Sequence, residues 1–172
     1  MTPAERKTAI RRYAAGPSRL RAALRRVPQP ALHWRPAPGG EWSAHEVVVH
    51  CADSESNAHM RLRYALAEKD PLIVGYDQAD WARALAYARR PLAPALATVV
   101  AVRANTVPLL RALPEAAWSQ SGRHSEMGTY TVEGWLGLYA EHPEVHARQI
   151  EANLAAWRKQ RGGRKRKARS RP

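Results

Sequence analysis

The 172-residue chain contains no phenylalanine and only one cysteine, Cys51. A single cysteine excludes an internal disulfide, which fits a reducing compartment. The N-terminal segment lacks the apolar run of a signal peptide, and the longest apolar stretches fall short of the roughly 20 residues that a membrane helix needs. We therefore expect a cytoplasmic protein without a membrane segment.

Acidic residues are also scarce, with 15 Asp and Glu against 28 Lys and Arg, for a net charge of +13. Most of the surplus belongs to residues 158–172, which contain nine Lys or Arg and no acid. Such a segment favours weak, non-specific nucleic-acid association, and it lacks an aromatic side chain for stacking on bases. The alternative, which we favour, is a disordered solubilising tail that follows a domain over residues 1–157.

Strand signals are missing as well, because polar and β-branched residues nowhere alternate over a sustained run. Apolar residues recur instead at helical spacing in four segments. The fold class expected from them is all-α, a four-helix bundle with one long crossover connection. The predicted helices are residues 3–26, 43–69, 90–113 and 131–157.

Glycine and proline mark where these helices are interrupted or end. Gly16-Pro17 indicates that the first helix is kinked or divided in two. Ser43 and Glu46 have the spacing of a capping box at the start of the second helix. Gly162-Gly163 predicts the end of the fourth helix, and residues 119–128 are expected to form a loop. His124 in this loop is expected to be exposed to solvent; the alternative is that it approaches the mouth of the cavity, because it precedes the fourth helix.

The second helix carries histidines on two different faces. At about 100° per residue, His50 falls between two apolar arcs and is expected to point inward, whereas His45, Glu55 and His59 fall on the opposite side, towards solvent. The alternative is an exposed His50 between two narrow apolar stripes. Polar side chains fall near the same angular position as His50 along the helix, and this pattern indicates the wall of a water-filled cavity. These residues are Glu46, Ser54, Asn57 and Arg61.

The fourth helix places His142 and His146 one turn apart on its apolar face. Buried imidazoles need partners, and the i, i+4 spacing lets both bind one ion. Together with His50 they form a candidate site for Zn²⁺, Ni²⁺ or Fe²⁺. Cys51 lies about 100° from His50 around the helix, and we interpret it as a small core residue rather than a ligand.

Other polar residues are candidates for contacts around this site. Arg103 lies in the apolar stripe of the third helix, where it either reaches the cavity to bind an anionic group or extends its charge to the surface. Gln149 or a carboxylate is suited to orient a ligand histidine. No residue stands out as a general base. The full set of such candidates is Glu46, Asn57, Arg61, Arg103 and Gln149.

Two segments together resemble a known family. Residues 40–55, GEWSAHEVVVHCADSE, resemble the helix-two signature of the DinB/YfiT-like superfamily, G-x-W-S-x-x-E-V-x-x-H-x-x-D-x-E. Residues 139–150, YAEHPEVHARQI, are similar to its helix-four signature, H-x-x-x-H-x-x-Q-I. Residues 75–81 and 110–118 also match, so the resemblance extends from Ile10 to Trp157.

The resemblance implies a four-helix bundle with a divalent metal held by His50, His142 and His146. It also implies a frequent homodimer and, as activity on a small molecule, either metal-dependent thiol transfer from mycothiol, bacillithiol or glutathione, or metal-dependent hydrolysis. A metal-binding bundle without turnover is the alternative. Pro143 departs from the family pattern, and we expect it to distort the helix beside the site.

Overall fold

The computed structural model describes residues 1–36 and 41–169, with side chains described up to residue 163. Helices dominate, so the predicted all-α bundle class is confirmed. The four long helices are α1 (Pro3–Arg25), α3 (Ala44–Ala67), α5 (Leu92–Ala112) and α7 (His142–Arg169). The short helices are α2 (Gln29–Leu32), α4 (Gln78–Ala84) and α6 (Val132–Tyr139), with 3-10 turns at Tyr87–Arg89 and Glu115–Ser119.

The long helices pack so that α1 and α3 each contact both α5 and α7. Helix α3 begins at the predicted capping box, in which Ser43 and Glu46 each accept a hydrogen bond from the other's backbone N–H. Every residue from Ala44 to Ala52 is buried, because α2, α5, α7 and the Tyr87–Arg89 turn all lie against this helix. The first half of α3 therefore has no solvent-facing side.

The predicted fourth helix is two helices, α6 and α7, separated at Ala140 and Glu141. Pro143 explains the division, since its nitrogen has no hydrogen to donate to the carbonyl of Tyr139, and proline is tolerated in the first turn of a new helix. The distortion expected beside the site is thus a complete break.

At its other end, α7 continues through Gly162 and Gly163 to Arg169. The end predicted at these glycines is therefore wrong. Residues 170–172 lie outside the described residues, and a basic tail that is separate from the domain over residues 1–157 stays a prediction.

A small three-stranded sheet packs against α3 and α6, although no strand signal was found in the sequence. Strand β1 (Leu72–Ile73) runs parallel to β2 (Ser121–His124), and β2 pairs antiparallel with β3 (Gly128–Thr131). The expected loop over residues 119–128 is thus largely a β-strand and a hairpin turn, which closes at Gly128 with φ +75°. Strands of two to four residues are too short to show alternation, and the β1–β2 pairing joins distant segments of the chain.

Helix α5 is long and apolar enough, by length and composition alone, to cross a membrane. One such helix does not establish a membrane segment, because core helices pass the same test; α5 packs against α1 and α3, and 28% of its most apolar window is buried. The expected lack of a membrane segment stays a prediction. A cytoplasmic location stays a prediction.

Candidate metal centre

Three imidazoles converge in the interior of the bundle. His50 comes from α3, and His142 and His146 come from the first turns of α7. One ring nitrogen from each of them can be chosen so that all three lie within 4.8 Å of one another. The Nε2 atoms of His142 and His146 are 3.2 Å apart. Two nitrogens bound to one tetrahedral Zn²⁺ at about 2.0–2.1 Å stand roughly 3.3 Å apart, so this spacing fits a shared ion.

His50 is the most deeply buried of the three, with 0% of its surface exposed. Neither of its ring nitrogens has a hydrogen-bond partner among the described residues. The Trp42 ring packs over it, with 4.6 Å between ring centroids. A buried imidazole without partners costs free energy, and a metal ion accepting its lone pair removes that cost. The alternative of an exposed His50 is wrong.

The other two imidazoles have acceptor oxygens on their far sides. Gln149 Oε1 lies 2.8 Å from His146 Nδ1, and an amide oxygen only accepts, so this contact favours a proton on Nδ1 of His146 and a free lone pair on its Nε2. Glu55 Oε1 lies 3.5 Å from His142 Nδ1, an ion-pair distance at which this nitrogen makes no hydrogen bond among the described residues. The lone pair of His146 Nε2 faces His142 Nε2 across 3.2 Å, a spacing that suits a shared cation.

The electrostatics of the cluster keep its imidazoles ready to bind a metal. Burial, followed by the two neighbouring histidines, lowers the pKa of His50 to about 2. Burial and His142 lower the pKa of His146 to about 4. Both rings are therefore neutral at neutral pH, as metal ligands must be. Burial alone would raise the pKa of Glu55, but His142 and Arg103 outweigh it and lower that pKa, so the carboxylate stays ionised.

Arg103 binds three oxygens in the core. Its Nη2 donates to Glu55 Oε1 at 2.7 Å and to the Tyr139 carbonyl at 2.6 Å, and its Nη1 donates to the Tyr13 carbonyl at 2.6 Å. The two carbonyls precede Pro143 and Pro17 by four residues, and those prolines have no N–H to donate to them. One buried guanidinium thus satisfies both freed carbonyls and fixes the carboxylate beside His142.

A glycine in α1 makes room for this guanidinium. A Cβ at Gly16 would lie 2.6 Å from Arg103 Nη1 and 3.1 Å from Pro143 Cγ. We expect Gly16→Ala to lower the free energy of unfolding by about 1–3 kcal/mol, because Arg103 is held by three hydrogen bonds and has nowhere to move. The measurement is urea unfolding followed by circular dichroism.

The matched control is Gly137→Ala in α6, where the nearest atom would be 3.5 Å away. Alanine is a better helix former, so this variant should gain about 0.5–1 kcal/mol. A Gly16→Ala protein as stable as Gly137→Ala would contradict the close packing of Arg103.

A polar cavity of about 240 Å³ opens beside His142. Arg61, Tyr76 and His124 are among the residues that line it. Ser54 lines it as well, and its hydroxyl lies 3.4 Å from His142 Nε2. A cavity therefore opens beside the cluster, but His142 is the one cluster imidazole among its lining residues. Of the polar residues predicted for its wall, Ser54 and Arg61 line it, and Glu46 and Asn57 do not.

Several sequence predictions about residues around the site need correction. Arg103 neither reaches the cavity nor extends to the surface, because it is 1% exposed and paired with Glu55. Glu46 binds Arg35 and the Ser43 cap, and the Asn57 amide donates to the Asp53 carbonyl, so neither side chain bonds to the imidazoles. Arg61 lines the cavity, and Gln149 contacts His146, as expected for residues around the site.

Four residues expected towards solvent lie inside instead. His45 and Glu55 are buried, His59 is partly buried against Thr106, and His124 is buried at the end of β2. The faces of α3 were misjudged because this helix has neighbours on nearly all sides. The last position of the family's helix-two signature, occupied by Glu55, was the available signal for the residue that contacts His142. His124 lines the cavity, as in the alternative considered for it, and its place depends on the hairpin.

Fold and site together define a class of protein, a four-helix bundle that gathers three imidazoles beside a polar cavity. The family described as the DinB superfamily matches residues 12–150. The chain therefore belongs to the DinB superfamily.

Two relatives that the chain matches have the same description. The chain is 32% identical over 111 residues to a protein of Oceanobacillus iheyensis named "Putative metal-dependent hydrolase", a match that spans 64% of each chain. It is 31% identical over 134 residues to a Bacillus mycoides protein of the same description, covering 78% of this chain and 76% of that one.

A solved structure confirms the fold. YfiT from Bacillus subtilis, described as "a probable metal-dependent hydrolase with an unusual four-helix bundle topology", superposes with a TM-score of 0.81. The superposition covers 94% of this chain and 90% of YfiT at 24% identity.

Proposed function

We propose that His50, His142 and His146 hold one divalent metal ion, and that the protein is a metal-dependent hydrolase acting on a small molecule. The observation that carries this proposal is the buried His50, whose two ring nitrogens lack partners among the described residues while it faces the other two imidazoles. The names of the relatives support hydrolysis as the reaction.

The chemistry of the donors indicates what the site would do. Three neutral imidazoles suit Zn²⁺ first, with Ni²⁺ and Fe²⁺ as alternatives, and they leave a coordination position open. An ion bound there would lower the pKa of a bound water to near neutrality. The protein's own part is to orient His146 through Gln149, to place the Glu55 carboxylate beside His142 and to offer the Ser54 hydroxyl next to His142.

Thiol transfer is the second candidate that the same donor set permits. A metal that lowers the pKa of water also lowers that of a bound thiol, such as mycothiol, bacillithiol or glutathione. A bundle that binds metal without turnover is the third candidate. Hydrolysis is preferred because the relatives carry that description.

The test is metal-dependent turnover. We expect the protein loaded with Zn²⁺, Ni²⁺ or Fe²⁺ to hydrolyse at least one member of a panel of small carboxylic and phosphate esters and amides. The activity should disappear on chelation and return when the metal is restored. Conjugation of glutathione to an aryl chloride, measured in parallel, tests the thiol alternative.

His59→Ala is the matched control, because His59 lies on the same helix but bonds to Thr106 rather than to the cluster. It should retain the activity. A fully metal-loaded protein that neither hydrolyses the panel nor transfers a thiol would contradict the enzymatic proposal in favour of the non-catalytic bundle.

Two further proposals concern partners. A homodimer is proposed from the family resemblance, and weak association of Arg158–Arg171 with nucleic acid is proposed from the charge of that segment. Deleting residues 158–172 should remove nucleic-acid binding and leave the metal content unchanged.

A further inference from the structure

The cavity beside His142 contains a positive charge without an acidic partner. Arg61 donates from Nη2 to the Val74 carbonyl at 2.6 Å and from Nη1 to the Tyr139 hydroxyl at 3.3 Å. Both acceptors are neutral, and Arg61 forms no ion pair with an acid within the described parts of the chain. Its Nε is buried and makes no hydrogen bond there. A guanidinium that uses only two of its N–H groups, both towards neutral acceptors, retains others that can bind an anion.

A second donor lines the same cavity. His124 is 5% exposed, and its Nδ1 accepts the backbone N–H groups of Glu126 at 3.1 Å and Met127 at 3.3 Å. Since Nδ1 is the acceptor, the proton of the neutral ring is on Nε2. Burial, and then the charge of Arg61, lowers the pKa of His124, so the ring stays neutral beside the arginine.

The remaining walls indicate what kind of molecule fits. The Tyr76 ring lies 5.5 Å from the Arg61 guanidinium carbon, and Met127 and Leu138 add apolar surface. The cavity also shares His142 with the imidazole cluster. A small molecule in it would therefore lie against both Arg61 and His142.

We propose that Arg61 and His124 bind a carboxylate group of the substrate, so that the proposed hydrolase acts on small carboxylate-bearing molecules. This inference rests on the proposed function, because it names the substrate class of the proposed hydrolase. Binding of the anion itself does not require a bound metal. Arg61 uses two of its five N–H groups within the protein and its Nε is buried, so two N–H groups remain for the two oxygens of a carboxylate.

Glu126 modulates this site from the rim. It is exposed and lines the cavity, and its charge opposes a bound carboxylate. Removing that charge in Glu126→Gln should therefore tighten carboxylate binding, by about two- to fivefold for a partly screened charge.

The test measures binding of benzoate, with uncharged benzamide as its isosteric control, to the full-length chain by nuclear magnetic resonance titration. We expect benzoate to bind at least about tenfold more tightly than benzamide, and Arg61→Gln to remove that preference. The expected affinities are the same in the metal-free and the Zn²⁺-loaded protein. Arg63→Gln is the matched control, because Arg63 lies on the same helix but bonds to Asn105.

Equal binding of benzoate and benzamide would overturn the proposal, as would a folded Arg61→Gln protein that still prefers benzoate. Should Arg61→Gln fail to fold, an unchanged benzoate affinity in Glu126→Gln would overturn it. Inorganic phosphate binding more tightly than benzoate would replace carboxylate by phosphate and so reject the class proposed. Absence of metal from the purified protein, with benzoate still bound, would reject the metal proposal alone.

Discussion

Replacing His50, His142 or His146 individually by alanine is expected to reduce metal affinity by more than about 100-fold. Each variant keeps two of the three imidazole ligands. Even residues that only hydrogen-bond to a metal ligand typically change metal affinity by about 10–100-fold, so the loss of a ligand itself should have a larger effect. Elemental mass spectrometry on the purified wild type and the three variants measures the effect. The wild type should contain close to one ion per chain, and each folded variant should contain almost none.

Thermal unfolding supplies an independent readout. A ligand at about 100 times its Kd stabilises a protein by about 2.7 kcal/mol, which is about 5–10 °C in Tm for a domain of this size. Adding metal should therefore raise the Tm of the wild type and of His59→Ala, and leave the Tm of the three variants unchanged. A wild type that contains no metal and cannot be loaded with Zn²⁺, Ni²⁺ or Fe²⁺ would contradict the site.

Removing the buried guanidinium should have the largest effect on stability. We expect Arg103→Met to lower the free energy of unfolding by about 3–5 kcal/mol, because it leaves an unpaired carboxylate on Glu55 and two unsatisfied carbonyls in the core. The measurement is urea unfolding of the metal-free protein. Arg111→Met, an exposed position on the same helix, is the control and should change stability by at most about 0.5 kcal/mol.

A double variant distinguishes the effect of an unpaired buried charge from the effect of altered side-chain packing. Glu55→Leu combined with Arg103→Met removes both charges, so the double variant should be less destabilised than the sum of the two single changes. Glu55→Leu should also bind metal more weakly, since His142 loses the carboxylate that lies 3.5 Å from its Nδ1. Arg103→Met should do the same to a smaller extent, because that carboxylate loses the guanidinium that holds it in place. An Arg103→Met protein within about 1 kcal/mol of the wild type would refute the role assigned to the Arg103–Glu55 pair.

Local patterns were sufficient to predict the four main helical segments and the faces that carry His50, His142 and His146, but not the division into α6 and α7 or the C-terminal end of α7. Helical periodicity depends on nearest neighbours along the chain, and a spacing of four residues places two imidazoles on one face wherever the helix packs. The capping box at Ser43 and the disruptive effect of Pro143 were predictable for the same reason, because both act within one helical turn.

The tertiary structure alone decided which polar residues complete the site. Glu55 was assigned to solvent because a helical wheel presupposes one exposed face, whereas α5 packs against the side of α3 that carries Glu55. Arg103 pairs with Glu55 because carbonyls freed by prolines in two other helices converge on it, which no single segment reveals. His124 reaches the cavity only through a hairpin whose strands are too short to recognise. Periodicity along a helix is a local property, but burial and partnership depend on neighbours that are distant in sequence.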